Sequence, residues 1–172
     1  MRRFLLVMFA ALLPFYAPAG DTYTVIRVID GDTIKVWDAN GRDPVVRLIG
    51  VDAPETHLDE KAVRTARQWG VPVRDVIHAG EVARSYVTSL IPPGSTIRVV
   101  PGAREYDDYG RILAYVHTPT GHCLNETLVR QGYARVFRRD PFRERQRYLD
   151  LEAEARRENR TFWKSIWKNE RK

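Results

Sequence analysis

Five short stretches of the chain carry β-branched and aromatic residues in runs or alternations typical of strands: Tyr23 to Ile29, Thr33 to Trp37, Val45 to Val51, Thr96 to Val100 and Ile112 to His117. Turn-forming residues separate or follow them, as in Asp38-Ala39-Asn40-Gly41 and Thr118-Pro119-Thr120-Gly121. The first three stretches lie close enough in sequence to form a meander. Three others change to a helical period. Glu81 to Leu90 places Val82, Tyr86 and Leu90 on one face, Asn125 to Gln131 stops before Gly132, and Phe142 to Arg160 aligns Tyr148, Leu151 and Ala155. Between Glu55 and Glu81 the chain is polar and irregular, with Gly70 and Pro72 as breakers, and reads as a long surface loop with room for a helical turn. This pattern predicts an α+β domain.

Length agrees with a single domain: 172 residues, 44% of them hydrophobic, can bury an ordinary core. The lone Cys123 rules out an intramolecular disulfide, so packing must hold the fold. Residues 1–19 read as a secretory signal, with Arg2 and Arg3 as the charged region, Phe4 to Leu13 as the apolar region and Ala17-Pro18-Ala19 as the cleavage site. As a helix the apolar region would span about 15 Å, roughly half a bilayer core. The competing reading is a permanent anchor. The expectation is an exported protein, periplasmic or secreted, with residues 20–172 as its domain and no membrane attachment after cleavage. A formal charge of +6 and a pI near 9.7 favour polyanionic partners without choosing among nucleic acid, heparin-like polymers and anionic membrane.

Candidate chemistry begins with two acidic corners. Asp30-Gly31-Asp32-Thr33 joins the first two strands, and its plainest reading is a turn. Asp52-Ala53-Pro54-Glu55 closes the third, where Pro54 holds Ala53 extended and leaves the Ala53 carbonyl free to act as an oxygen ligand. A meander brings both corners to one end of the sheet. Carboxylates gathered there repel by about 4 kcal/mol per pair at 4 Å and a dielectric of 20, which calls for a compensating cation. Oxygen donors suit calcium or magnesium, and the histidines show no HxxxH or HxH pairing for zinc. His57, His78, His117 and His122 therefore read as surface or structural residues. Arg47 interrupts the apolar run Val45-Val46-Arg47-Leu48-Ile49, and Arg111 follows Asp107-Asp108-Tyr109-Gly110. Each has a plain reading as a solvated strand or hairpin residue; together with a metal they would make a phosphate clamp. Trp163 and Trp167, four residues apart, read as a packing face before a base-stacking platform.

In combination, IDGDT at Ile29 to Thr33, VRLIGVDAPE at Val46 to Glu55, DYGR at Asp108 to Arg111 and LNETLVRQGYA at Leu124 to Ala134 resemble the staphylococcal nuclease, or thermonuclease, family. The similarity runs from Tyr23 to about Trp163. It implies a five-stranded OB-fold β-barrel with three helices. It further implies that Asp32, Asp52 and the Ala53 carbonyl hold calcium, that Glu55 serves as general base, that Arg47 and Arg111 bind the scissile phosphate, and that Asp30 and Thr33 support the metal ligands through hydrogen bonds. Ala53 stands where threonine is common, a change that a backbone ligand tolerates. The Glu55 to Glu81 segment is longer than in the best-known member. Near Phe137-Arg138-Arg139 the family's nucleotide-binding aromatic has no clear counterpart, leaving Arg138 and Arg139 as phosphate contacts or solvated residues.

The resemblance thus implies a calcium-dependent, sugar-nonspecific nuclease acting on DNA and RNA and leaving 3′-phosphate ends; a monomer, by default, and single-stranded or locally frayed nucleic acid as substrate are further expectations. The alternative is a catalytically inactive OB-fold module that binds nucleic acid; a basic surface adhesin is a third reading. The complete set of Asp32, Arg47, Asp52, Glu55 and Arg111 separates the first from the other two.

Overall fold

A computed structural model describes residues 20–166 of the chain. The expected signal at 1–19 and Trp167 lie outside the described residues. Five strands close into a barrel: β1 (Asp21–Asp30), β2 (Thr33–Trp37), β3 (Val45–Leu48), β5 (Thr96–Tyr106) and β6 (Ile112–His117), in the spatial order β1-β2-β3-β6-β5. The first three form the expected antiparallel meander, and β3 meets β6 in parallel. Register shifts along β1, between Val25 and Arg27 and between Val28 and Asp30, let its ten residues bend far enough to pair with both β2 and β5. Alternate residues point inward: Val25, Ile34, Val36, Val46, Leu48, Ile97, Val99, Ala114 and Val116 are buried in one core. This is the five-stranded OB-type barrel of an α+β domain.

The third predicted strand, Val45 to Val51, is broken in two. Its apolar run conceals a kink at Ile49-Gly50, where Gly50 takes φ +73° and lies against the Phe142 ring. Beyond the kink, β4 (Val51–Asp52) leaves the barrel and pairs with β7 (Arg135–Val136). Asn125, fully buried, braces the kink: its side-chain amide donates to the Ile49 and Ala114 carbonyls, each at 3.0 Å, and its oxygen accepts from Val116 N–H at 2.9 Å.

The loop expected from Glu55 to Glu81 is mostly helical, which corrects the sequence reading. It holds α1 (Glu60–Trp69) and the first half of α2 (Val73–Leu90); the predicted helix from Glu81 is only the second half of α2. Asp59 caps α1 by accepting the Ala62 N–H at 2.7 Å, and Gly70, in the left-handed region at φ +65°, ends it. Pro72 starts α2 as its N-cap. The hydrophobic stripe of α1 consists of Ala62, Ala66 and Trp69 at i, i+4 and i+7, too small and too sparse to stand out from the six charged or polar residues of the helix. The other predicted helices appear as α3 (Leu124–Arg130) and α4 (Arg145–Arg157), followed by a short α5 (Phe162–Ser165). The described residues therefore carry two helices beyond the three expected, α1 and α5. A second apolar cluster of Ala66, Trp69, Val76, Ala79, Ala83, Ala155, Phe162 and Trp163 joins them outside the barrel, so Trp163 does belong to a packing face.

Candidate active site

The β1–β2 turn and the end of β4 meet, as the meander predicted. Asp32 Oδ2 accepts the Ala53 N–H at 2.8 Å, a bond that ties the two acidic corners directly together. Asp30 in turn accepts the Asp32 N–H at 2.9 Å, and Thr33 donates its hydroxyl to Asp32 Oδ1 at 3.1 Å. Asp30 and Thr33 thus support Asp32 by hydrogen bonds. Gly31 is required by this closeness, since a Cβ there would lie 2.6 Å from that of Ala53 and 2.9 Å from that of Ala83 on α2.

Arg47 points into the same space from β3. Its side chain is only 12% exposed, with Nη1 against Asp32 Oδ1, Nη2 donating to the Val51 carbonyl at 3.1 Å and Nη2 3.9 Å from Asp52 Oδ1. The Nη1 contact with Asp32 is close but lies off the hydrogen-bonding direction, and Nη1 has no hydrogen-bond partner. Burial pulls the guanidinium below its ordinary pKa, while Asp52, Asp30 and Glu55 oppose that pull. Burial likewise pushes the Asp30 carboxyl up, with Arg47, Lys61 and Arg111 acting against it. The plain reading of Arg47 as a solvated strand residue is excluded.

Glu55 follows Pro54 at the rim, its side chain 18% exposed and ion-paired through Oε1 with Lys61 at the start of α1. Gly80 of α2 passes so closely that any Cβ would collide with the Glu55 carbonyl. Asp52, more open at 36%, stands between Arg47 and the solvent. Arg111 is held from the β5–β6 hairpin by Asp107, which accepts its Nε at 2.6 Å and its backbone N–H at 2.9 Å; the guanidinium also lies 5.4 Å from the exposed Tyr109 ring. Arg111 is close enough to lower the proton affinity of Arg47 further. Hydrogen bonds, ion pairs and charge interactions thus link all six expected residues, Asp32, Arg47, Asp52, Ala53, Glu55 and Arg111.

Lys61 and Asp107 were not anticipated. Asp107 had a legible signal in its place at the hairpin start, four residues before Arg111; Lys61 had none while its segment read as a loop. Arg138 is exposed and pairs with buried Glu152, which also accepts the Val136 N–H at 2.8 Å. Arg139 is exposed. His57, His117 and His122 bond to nearby turn residues, and exposed His78 borders an apolar groove away from the acids.

The donor chemistry fits a hard cation. Asp32, Asp52 and the Ala53 carbonyl offer oxygen only, and the acids Asp30, Asp32, Asp52 and Glu55 stand beside the cations Arg47, Lys61 and Arg111. Among the described residues, no group of three or more His, Cys, Asp or Glu side chains is arranged to hold a metal ion. The expected set needs just two carboxylates, with the third oxygen from the backbone. Nor is any helix of the described residues long and apolar enough to cross a membrane.

Comparison with known proteins agrees with this geometry. The staphylococcal nuclease homologue family matches residues 45–165, more than half of the chain. Thermonuclease of Staphylococcus hyicus is 33% identical over 148 residues, covering 86% of this chain and 76% of that protein. An uncharacterized endonuclease of Escherichia coli is 33% identical over 142 residues, covering 81% and 74%. Endonuclease YhcR of Bacillus subtilis is 31% identical over 142 residues, which span 81% of this chain but only 11% of that much longer protein. With the barrel, the paired acidic corners and the buried arginine all in place, the chain belongs to the staphylococcal nuclease family and is a nuclease, a phosphodiester hydrolase, by class.

Proposed function

We propose that this protein is a calcium-dependent, sugar-nonspecific nuclease that cleaves DNA and RNA and leaves 3′-phosphate ends. The observation that carries the proposal is the Asp32–Ala53 hydrogen bond, which gathers the acids around buried Arg47. Asp32, Asp52 and the Ala53 carbonyl would hold the calcium ion, which when bound supplies charge neutralisation and polarisation at a non-bridging phosphate oxygen. Glu55 accepts a proton from the attacking water as the new P–O bond forms and the bond to the 5′ oxygen breaks; the departing oxygen takes its proton from solvent. Arg47 and Arg111 neutralise charge on the equatorial oxygens, and pairing with acids keeps Arg47 charged and oriented before substrate arrives. Contacts of this kind read phosphate, not bases, which accounts for a broad substrate range. The exposed Tyr109 ring offers a sequence-tolerant stacking face at the rim, favouring single-stranded or frayed nucleic acid.

Residues 20–172 act in this reading as the mature, monomeric domain after removal of the leader, in the periplasm or outside the cell.

Digestion of single-stranded DNA and of RNA with calcium, with magnesium and with chelator tests the proposal. Calcium should support cleavage of both polymers, chelator should abolish it, and Glu55→Gln or Arg47→Ala should slow it by about 10²-fold or more. If either variant stayed within about threefold of the parent, the assigned chemistry would be wrong. Binding in calcium without cleavage would instead identify a nucleic-acid-binding module.

A further inference from the structure

We propose that Lys61 is a positioning residue that orients Glu55 for proton transfer. The inference rests on the reading of Glu55 as the general base. Three features of the fold converge on this pair. Gly80 lets α2 lie directly against the Glu55 carbonyl, which fixes the main chain at that position and leaves only the side chain to be oriented. The Asp59 cap fixes the first turn of α1, so the Lys61 backbone is equally constrained. From there the Lys61 ammonium reaches Glu55 Oε1, engaging one carboxylate oxygen and leaving the other for water.

The ion pair is poorly explained as a stabilising device. Lys61 is 51% exposed, and such pairs contribute little to folding because solvent screens them and two flexible side chains must be ordered. Its direction is informative. The ammonium faces the acidic corner, where its charge acts on Asp30 as well as Glu55, when solvent lies open on its other side. A carboxylate on a flexible arm otherwise samples several rotamers, and a misplacement of about 1 Å at a reacting group can cost up to 10²-fold in rate.

The chief rival is that Lys61 leaves Glu55 to bind a substrate phosphate. The two differ in kinetics. Steady-state cleavage of a single-stranded oligonucleotide in calcium is measured for the parent, Lys61→Met, Lys61→Arg, Glu55→Gln and the Glu55→Gln/Lys61→Met double variant, with thermal melts to verify folding. A positioning role predicts that Lys61→Met lowers kcat by about tenfold with KM and its salt dependence unchanged. Lys61→Arg should restore most of the rate, and the second substitution should add nothing to Glu55→Gln. A several-fold rise in KM with a shallower salt dependence, a multiplicative loss in the double variant, or a kcat within twofold of the parent would each overturn the inference. The two levels of the reading fail differently: an active Glu55→Gln variant removes the general base itself, whereas an inactive Glu55→Gln beside a fully active Lys61→Met removes only the role of Lys61.

Discussion

Asn125 and Gly80 hold the acidic corners in place without touching a carboxylate. Asn125 uses every strong hydrogen-bonding atom of its amide on buried backbone at the β3–β4 kink. Asn125→Leu should leave the Ile49 carbonyl and the Val116 N–H without this partner, each orphan costing about 1–3 kcal/mol, while the Ala114 carbonyl keeps its bond from the Ile49 N–H. Urea denaturation is expected to show a loss of at least that size; an unchanged midpoint would mean that the kink does not depend on the amide. Gly80→Ala tests the close approach of α2 to Glu55. The added methyl meets backbone, which cannot rotate away, so overpacking of about 1–3 kcal/mol is expected together with a fall in kcat as the Glu55 corner shifts. A variant with parental stability and rate would show that α2 can move without consequence. The acids and arginines were legible in the sequence because chemistry limits them to a few residue types in a fixed order. Asn125 lay within a quoted motif, yet its bracing role depends on three backbone partners that lie up to 76 residues away.

At the level of elements, α1 is the part that sequence concealed. Its Asp59 cap is a local feature, and Asp59→Ala should cost about 1 kcal/mol of stability, with faster amide exchange in the first turn of α1. Protection equal to the parent would mean that tertiary packing alone holds this turn. The junction of α3 and α4 depends on charge instead. Hydrogen bonding from Arg147 lowers the pKa of Glu126, burial opposes this, and a further bond from Arg130 reinforces it. A carboxylate with a depressed folded-state pKa contributes stability that is full above its unfolded pKa and is lost as pH falls through the folded value. The parent should therefore lose stability on acidification below the ordinary carboxylate range more steeply than Glu126→Gln, as read from thermal melts in a pH series. Parallel curves for the two proteins would remove Glu126 from the acid response. Periodicity found α3 and α4, whose apolar faces meet the barrel, and missed α1, whose stripe is two alanines and one tryptophan beside α2.

For the whole molecule, a net charge of +6 goes with a site where Asp30, Asp32 and Asp52 gather around Arg47. The proposed function divides long-range attraction for a polyanion and local accommodation of a cation between the net charge and the site. Affinity for single-stranded DNA should fall linearly with salt on a logarithmic scale, as counterion release requires. In the proposed mechanism the catalytic loss in Glu55→Gln should remain at every salt concentration, because that group would act on the attacking water after the substrate is bound. An affinity insensitive to salt would contradict electrostatic capture.

Sequence by itself determined the barrel strands, apart from the break in the third, and through the order of its motifs the family, since β-branched runs and turn residues are local properties; each acidic corner and arginine had a plain alternative that only their combination outweighed. Only the tertiary structure decided that Arg47 is buried against Asp32, that β4 leaves the barrel to meet β7, that the 60–90 segment is two helices and that Lys61 faces Glu55. Each of these depends on how separate segments of the folded chain come to lie against one another. No local pattern encodes that meeting; close packing of the folded chain sets it.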